Sequence, residues 1–310
     1  MSLVNDPTIV YEKLMRAVML SRGARALRHR CRHCTVEALF WTGGGALPAV
    51  VLMHGFSASG PTQWGSVVRR IRGEVAGVLV PDLPGHGATH CAGELSAEVL
   101  TEDTAEALLA FVEQPALLVA SSLSGGIAVR FALRHPERVA GLLLCSPGGA
   151  PMSPQEVTNL LDLFNIDSYS KALTFVDRVF GKTPLSRPLL AWGVMRQLRR
   201  PQLVKLLAQA REQRWLQPAE LAALSMPVKL LWGAGDGVLP ASSFAFYRDH
   251  LPPGTLIERP NYGHAPFFSV PAVFGASVLS FARRLALAPP RATRHSPAAR
   301  VASIGALTPL

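Results

Sequence analysis

Apolar and polar positions alternate between two periods along the first half of the chain. Short runs of consecutive apolar residues, typical of strands buried on both faces, occupy 49–54, 77–82, 116–120 and 139–145. Stretches with helical spacing lie between them, at 64–72, 96–113 and 124–135. This alternation predicts an α/β fold with a mostly parallel central sheet and helices on both faces.

The alternation stops after residue 145 and resumes near residue 228. Between 148 and 224 the pattern is helical only, and further strands follow at 228–232 and 255–258. We therefore predict one α/β domain with a helical insertion. The predicted divisions are a basic helical segment (1–33), the first part of the core (34–147), a helical cap (148–224), the second part of the core (225–287) and a disordered tail (288–310).

The composition fits a globular protein. The chain has 310 residues, of which 49% are hydrophobic and 17% are charged, so a disordered protein is excluded. The chain contains no window of eighteen uninterrupted apolar residues, so we predict no membrane span. The N-terminus lacks the basic start and apolar core of a signal peptide, and we expect a cytoplasmic protein.

The charge is strongly basic, +10 in total, and is concentrated near the N-terminus. Six arginines without an acidic residue lie between positions 16 and 32: Arg16, Arg22, Arg25, Arg28, Arg30 and Arg32. The segment lacks the interleaved aromatic residues of a nucleic-acid surface, so we expect no nucleic-acid partner. A solvated face is the commoner explanation of such a segment, and weak contact of this basic helix with anionic membrane is the alternative.

The four cysteines do not form the pattern of a disulfide framework. Cys31 and Cys34 form one C-x-x-C pair, whereas Cys91 and Cys145 are isolated in the sequence. A zinc site needs a second pair of ligands at matched spacing. We expect reduced cysteines without a role, and no metal.

The stretch ALLVASSLSGG, residues 116–126, ends a buried strand in a cluster of small residues before a helix. A strand–turn–helix of this kind exposes a nucleophilic serine when the residues two before and two after it are small. Ser122 and Ser124 both meet that condition. The apolar run ends at Ala120, which places Ser122 at the tip of the turn and Ser124 in the helix, where a hydroxyl tends to bond backbone. We predict Ser122 as the nucleophile, with Ser124 as the alternative.

Two further residues follow later strands. Asp236 comes after the strand at 228–232, and His264 after the strand at 255–258. An aspartate in a glycine-rich turn, or a histidine in a loop, has little meaning alone. Serine, aspartate and histidine in that order, each past a strand end of one parallel sheet, predict a catalytic triad.

Five motifs resemble the α/β-hydrolase family over about residues 49–285. They are LMHGF (52–56), VPDLPGHG (80–87), RHPERV (134–139), WGAGD (232–236) and YGHAPFF (262–268). The resemblance implies an oxyanion hole formed by the backbone N–H groups of Phe56 and Leu123, and a helical cap. It also places the nucleophile at Ser122. The elbow departs from the family pattern, because Ala120 and Ser124 stand where glycines are usual.

The resemblance implies a serine hydrolase that cleaves a carboxylic ester of a small to medium apolar acyl group through an acyl-enzyme. The expected partner is a small-molecule ester, and no cofactor is expected. Members of the family also use the same triad for C–C bond or thioester hydrolysis, acyl transfer or a lyase step. A non-catalytic ligand-binding protein of the same fold is a further alternative.

Overall fold

A computed structural model describes residues 7–211 and 214–287 of the chain. Within them, nine strands form one sheet in the spatial order β1-β2-β4-β3-β6-β7-β8-β9, with β5 paired to β2. The strands are β1 Arg25–Arg30, β2 Cys34–Thr42, β3 Val50–Met53, β4 Gly77–Pro81, β5 His90–Cys91, β6 Ala116–Ser121, β7 Val139–Cys145, β8 Val228–Leu231 and β9 Leu256–Glu258.

The helices precede, connect and follow these strands. They are α1 Pro7–Ser21, α2 Gly60–Ile71, α3 Ala97–Phe111, α4 Leu123–Arg134, α5 Pro154–Phe164, α6 Tyr169–Phe180, α7 Arg187–Gln197, α8 Pro201–Ala208, α9 Pro218–Ala222, α10 Ala241–His250, α11 Pro266–Ser269 and α12 Pro271–Leu287. Among the described residues, no helix combines the length and apolar character that crossing a membrane requires.

The central strands run parallel from β4 through β3, β6, β7 and β8 to β9. Successive residues of β6 alternate between two apolar cores, as the two-residue period of a strand requires. Leu118 packs with α3, α4 and α10 on one face, whereas Leu117 and Val119 pack with α2 and α12 on the other. The predicted fold class, a mostly parallel sheet covered on both faces, is confirmed.

The N-terminal segment differs from the prediction of a helical region over 1–33. Helix α1 ends at Ser21, and Gly23 takes a positive φ of 89°. Arg25–Arg30 then forms an edge strand antiparallel to β2. Its sequence, RALRHR, contains three arginines and a histidine, so the strand lacks the continuous apolar run by which the buried strands are recognised.

The insertion between β7 and β8 is helical in its described part and contains α5 to α9. It has a small core of its own, made by Ile166, Ala172, Phe175, Val176, Ala191 and Leu198. The division of the chain into separate domains stays a prediction, and the tail predicted at 288–310 lies outside the described residues.

Candidate active site

Ser122 lies at the sharp turn between β6 and α4. Its backbone has φ 51° and ψ −119°, a left-handed conformation that costs free energy for a residue with a side chain. Three hydrogen bonds hold the turn: the Ser122 N–H donates to the Cys145 carbonyl at 3.1 Å, and the Ser122 carbonyl accepts from Gly125 and Gly148, each at 2.8 Å. The turn leaves Ser122 partly exposed at the wall of a cavity.

Ser124 has the opposite environment. Its side chain is fully buried, and its Oγ lies 2.9 Å from the Met53 carbonyl and 3.0 Å from the Ser121 carbonyl, to which it can donate. The same oxygen accepts from the Ser121 N–H at 3.0 Å. The hydroxyl therefore ties the turn to β3, which agrees with the preference for Ser122. The catalytic role of Ser122 stays a prediction.

The structure brings Asp236 and His264 together beyond the ends of β8 and β9. The imidazole Nδ1 donates to Asp236 Oδ2 at 2.8 Å, and the other carboxylate oxygen accepts from the Val238 and Leu239 N–H groups at 2.9 and 3.2 Å. Burial on its own raises the pKa of Asp236, but the charge and hydrogen bond of His264 and the bond from the Val238 N–H outweigh it, so the pKa lies below its ordinary value. The carboxylate is ionised and orients the imidazole.

The contact between Ser122 and His264 is less direct than that between His264 and Asp236. Among the hydrogen bonds of the described residues, Ser122 Oγ makes none with His264. Such contacts are often long in hydrolases without substrate and tighten when substrate binds. Because Nδ1 is held by Asp236, the free nitrogen of His264 is Nε2, the atom that a general base presents to its nucleophile.

The loop after β3 carries Phe56, and α4 begins at Leu123, so both predicted oxyanion donors flank Ser122. Gly55 fits closely at this point, because a Cβ atom there would lie 3.2 Å from Cβ of Ser122. The Gly55 N–H donates to Gln63 Oε1 at 3.1 Å, and Gln63 is only 3% exposed. Sequence reasoning missed Gln63, since one polar residue on an otherwise amphipathic helix gives no signal of its contact.

His54 holds the same loop through both nitrogens of its ring. Its Nδ1 donates to the Gly55 carbonyl at 2.8 Å and its Nε2 accepts from the Leu83 N–H at 2.9 Å. Burial, and then the neighbouring His86, lower the pKa of His54 to about 3, so the imidazole is neutral and can serve both bonds. The histidine of the LMHGF motif therefore supports the loop rather than the chemistry.

A cavity of about 720 Å³ opens beside Ser122 between the sheet and the cap. Many of the side chains that line it are apolar, among them Phe56, Leu123, Ile127, Leu160, Phe164, Leu206 and Val238. The wall also includes residues of α4. Arg130 and Arg134 lie on this helix, eight and twelve residues after Ser122, which corresponds to about 12 and 18 Å along the helix axis. The lining therefore combines apolar side chains with charged ones along α4.

The charged end of the cavity consists of ion pairs. Arg134 donates to both carboxylate oxygens of Glu102 at 2.7 and 2.9 Å, and Arg130 lies 3.9 Å from Glu220. Burial lowers the pKa of Arg130, and the charge of Glu220 opposes that shift. Among the described residues, the one group of His, Cys and acidic side chains close enough to hold a metal is His29 on β1, Cys31 just after it and Glu106 on α3, and it contains none of the predicted catalytic residues.

This fold, with a serine at the elbow and a histidine–aspartate pair past the later strands, defines a hydrolase that acts through a serine, histidine and aspartate. Residues 50–276 match the model of the alpha/beta hydrolase family. The chain belongs to that family, and it is a hydrolase of the carboxylesterase type.

Relatives and solved structures agree with that assignment. The chain is 31% identical to a pimeloyl-[acyl-carrier protein] methyl ester esterase of Nitrosomonas europaea over 75% of this chain and 94% of the relative. It is 30% identical to an enzyme of the same name from Pectobacterium atrosepticum, over 80% of this chain and all of the relative. The crystal structure of a membrane phospholipase A, described as a bacterial virulence factor, has a TM-score of 0.75 and 25% identity, with 90% of this chain and 94% of that chain covered.

Proposed function

We propose that Ser122 is the nucleophile, His264 the general base and Asp236 the residue that orients the imidazole. Ser122 Oγ attacks the ester carbonyl while His264 Nε2 takes its proton and later returns it to the leaving alcohol. Water then attacks the acyl-enzyme by the same route. The hydrogen bond of 2.8 Å between His264 and Asp236 supports these roles.

The carbonyl oxygen receives the developing negative charge, and the N–H groups of Phe56 and Leu123 stabilise it. Loss of one such donor typically costs about 3 to 4 kcal/mol of barrier. The close approach of Gly55 to Ser122 and the bond from Gly55 to Gln63 support this assignment, because they fix the peptide that precedes Phe56.

The substrate we infer is a small alkyl ester of a medium-length apolar acyl chain whose far end carries a polar or acidic group. The observation that carries this inference is the cavity, whose lining is largely apolar and also contains Arg130 and Arg134 on α4, paired with Glu220 and Glu102. The acyl chain occupies the apolar part, and its polar or acidic far end competes with these glutamates for the arginines. Methyl esters attached to an acyl carrier protein, on which the named relatives act, are esters of this class.

The test compares methyl esters of monocarboxylic acids with monomethyl esters of dicarboxylic acids of equal chain length. We expect a higher kcat/KM for the dicarboxylic series, and Arg134→Ala should remove most of that preference. Arg248→Ala is the matched control, because Arg248 also pairs with a half-exposed carboxylate but lies outside the cavity lining. Equal kcat/KM for the two series in the unmodified enzyme would refute the inferred substrate while leaving the triad untouched.

We also propose that α1 makes weak contact with anionic membrane. Val10, Tyr11 and Leu14 are each more than half exposed on one face of the helix, whereas Thr8 and Met19 are buried on the other. An exposed apolar stripe in a basic segment suits a lipid interface.

Sedimentation with vesicles tests this contact. Val10→Glu should abolish binding to anionic vesicles at low salt, and Val273→Glu on α12, a site of the same 52% exposure, should not. Equal sedimentation of the unmodified protein with neutral and anionic vesicles would end the idea. For its location we propose the cytoplasm, which fractionation of cells that express the protein tests.

A further inference from the structure

The sequence predicts four unpaired cysteines, and this is wrong for two of them, whereas Cys31 and Cys145 are free thiols. Cys34 and Cys91 form a disulfide between β2 and β5, although 57 positions separate them. They are directly opposite each other in the antiparallel pairing of these two strands. The C-x-x-C spacing could not reveal this partner, because the pairing depends on β5, a strand of two residues.

A third cysteine lies on the other side of Cys34. The register of β1 and β2 places Arg30 opposite Thr35, and the next pair toward the turn is Cys31 and Cys34. The Cys31 N–H donates to the Cys34 carbonyl at 2.8 Å, so the two residues form a hydrogen-bonded pair. Cys31, Cys34 and Cys91 thus occupy one row across three neighbouring chain segments.

The row lies on one face of the sheet, because directly opposite residues of antiparallel strands project to the same side. All three side chains contact the same apolar core, with Cys31 7% and Cys34 3% exposed. The α-carbons of a hydrogen-bonded cross-strand pair are about 5.5 Å apart, within the usual range for a disulfide. Cys34 therefore has two partners within reach, Cys91 on one side and Cys31 on the other.

We propose that the Cys31–Cys34–Cys91 row is a thiol–disulfide exchange site. The Cys31 sulfur attacks the Cys34 sulfur and forms a new disulfide with it. The Cys34–Cys91 bond breaks, its electron pair goes to the Cys91 sulfur, and a proton passes overall from Cys31 to Cys91. The exchange is intramolecular and consumes neither oxidant nor reductant.

The resting pairing is Cys34 with Cys91. Burial, with the nearby charges of Glu106 and Asp103, raises the pKa of the Cys31 thiol to about 12. Cys31 is therefore protonated at neutral pH, and its thiol donates to the Asp103 carbonyl at 3.3 Å.

The exchange affects the acyl cavity through the segment that follows Cys91. The disulfide fixes β5, and a few residues later Leu95 and Ala97 are both bonded to the side-chain amide of Gln209 after α8. Ala97 and Gln209 line the cavity. Transfer of the disulfide to Cys31 removes the covalent link between β5 and the sheet, and thereby loosens this wall.

Single cysteine variants separate the two pairings. Cys91→Ser leaves only Cys31 and Cys34 to pair, Cys31→Ser permits only the resting disulfide, and Cys34→Ser permits neither. Cys145→Ser is the control, because Cys145 is fully buried at the end of β7. Each protein is equilibrated with reduced and oxidised glutathione, quenched by alkylation and mapped by mass spectrometry.

We expect a Cys31–Cys34 disulfide in Cys91→Ser and a measurable fraction of the same disulfide in the unmodified protein. Limited proteolysis of Cys91→Ser should be at least several-fold faster within 83–97 than that of Cys31→Ser. Two results would overturn the proposal: Cys31 and Cys34 both remain alkylatable thiols in folded Cys91→Ser, or Cys34–Cys91 is the sole disulfide found in the unmodified protein under every glutathione ratio. Neither result depends on esterase activity.

Discussion

Ser122 and Ser124 show how differently one turn can use two identical side chains. The hydroxyl of Ser124 is saturated by backbone groups of Met53 and Ser121, whereas Ser122 takes the strained conformation and faces the cavity. Strand length was the decisive sequence signal, because it places the turn immediately after Ser121. The interactions of Gln63 could not be predicted, since they depend on the contact between α2 and a loop.

Gln63 offers a test of the oxyanion loop. Gln63→Met keeps the side-chain volume but removes the oxygen that accepts the Gly55 N–H. A buried donor left unpaired costs about 1 to 3 kcal/mol. We expect a loss of kcat of about tenfold with a smaller change in KM. Gln155→Met, at an exposed position of α5, is the control and should leave kcat unchanged. An unchanged kcat in Gln63→Met would show that the loop holds its geometry without this bond.

A second prediction at the scale of single residues concerns Asp236. Asp236→Asn removes the negative charge that stabilises the protonated imidazole and allows the imidazole to take the wrong tautomer. The same substitution lowers kcat by roughly 10⁴ in a Ser-His-Asp triad where it has been measured. We expect a loss of about that order in ester hydrolysis, with the fold retained by circular dichroism. A loss of less than tenfold would place the acid of the triad elsewhere.

At the scale of elements, the buried parallel strands and the helical insertion could be predicted, because continuous apolar runs have a clear length and period. The edge strand β1 and the two-residue strand β5 could not, since neither has an apolar run. Both carry or flank the cysteine row, for which we propose thiol–disulfide exchange. Helix α5 shows the same limit: its apolar period predicts a helix, but not that Phe164 contacts Phe56 with ring centroids 5.4 Å apart.

Because Phe164 lies in the cap and contacts Phe56, we expect it to limit the length of the acyl chain that the cavity accepts. For p-nitrophenyl esters we expect kcat/KM to rise from acetyl to butyryl or hexanoyl, because each buried CH₂ contributes about 0.8 kcal/mol, close to fourfold. It should then fall for chains that overfill the cavity of about 720 Å³. Phe164→Ala should move the optimum to longer chains. A steady rise to dodecanoyl or longer esters in the unmodified enzyme would contradict a covered pocket.

At the scale of the whole molecule, a buried carboxylate makes stability depend on pH. Asp82 accepts from the Gly60 and Ala88 N–H groups at 2.7 and 2.9 Å. Burial raises its pKa to about 6, and these two hydrogen bonds only partly oppose that shift. The folded protein thus binds the proton more tightly than the unfolded chain, and the stabilisation from this group is present below the ordinary pKa of 3.8 and lost as pH rises to about 6.

The free energy of unfolding of the unmodified protein and of Asp82→Asn should therefore be compared by urea denaturation at several pH values. The stability of the unmodified protein relative to the variant should fall by about 2 kcal/mol between pH 4 and pH 6.5, at 1.36 kcal/mol per pKa unit. A difference that stays constant would show that Asp82 ionises at its ordinary pKa, and a difference that grows with pH would show that folding lowers this pKa.

The central claim is that Ser122 acts as the nucleophile. Labelling by a fluorophosphonate probe, measured together with the rate of p-nitrophenyl butyrate hydrolysis, tests it most directly in Ser122→Ala and Ser124→Ala. We predict that Ser122→Ala loses both the label and the activity, whereas Ser124→Ala keeps both at a measurable, reduced level because its hydroxyl only holds the turn. Label and activity that persist in Ser122→Ala and vanish in folded Ser124→Ala would contradict the account.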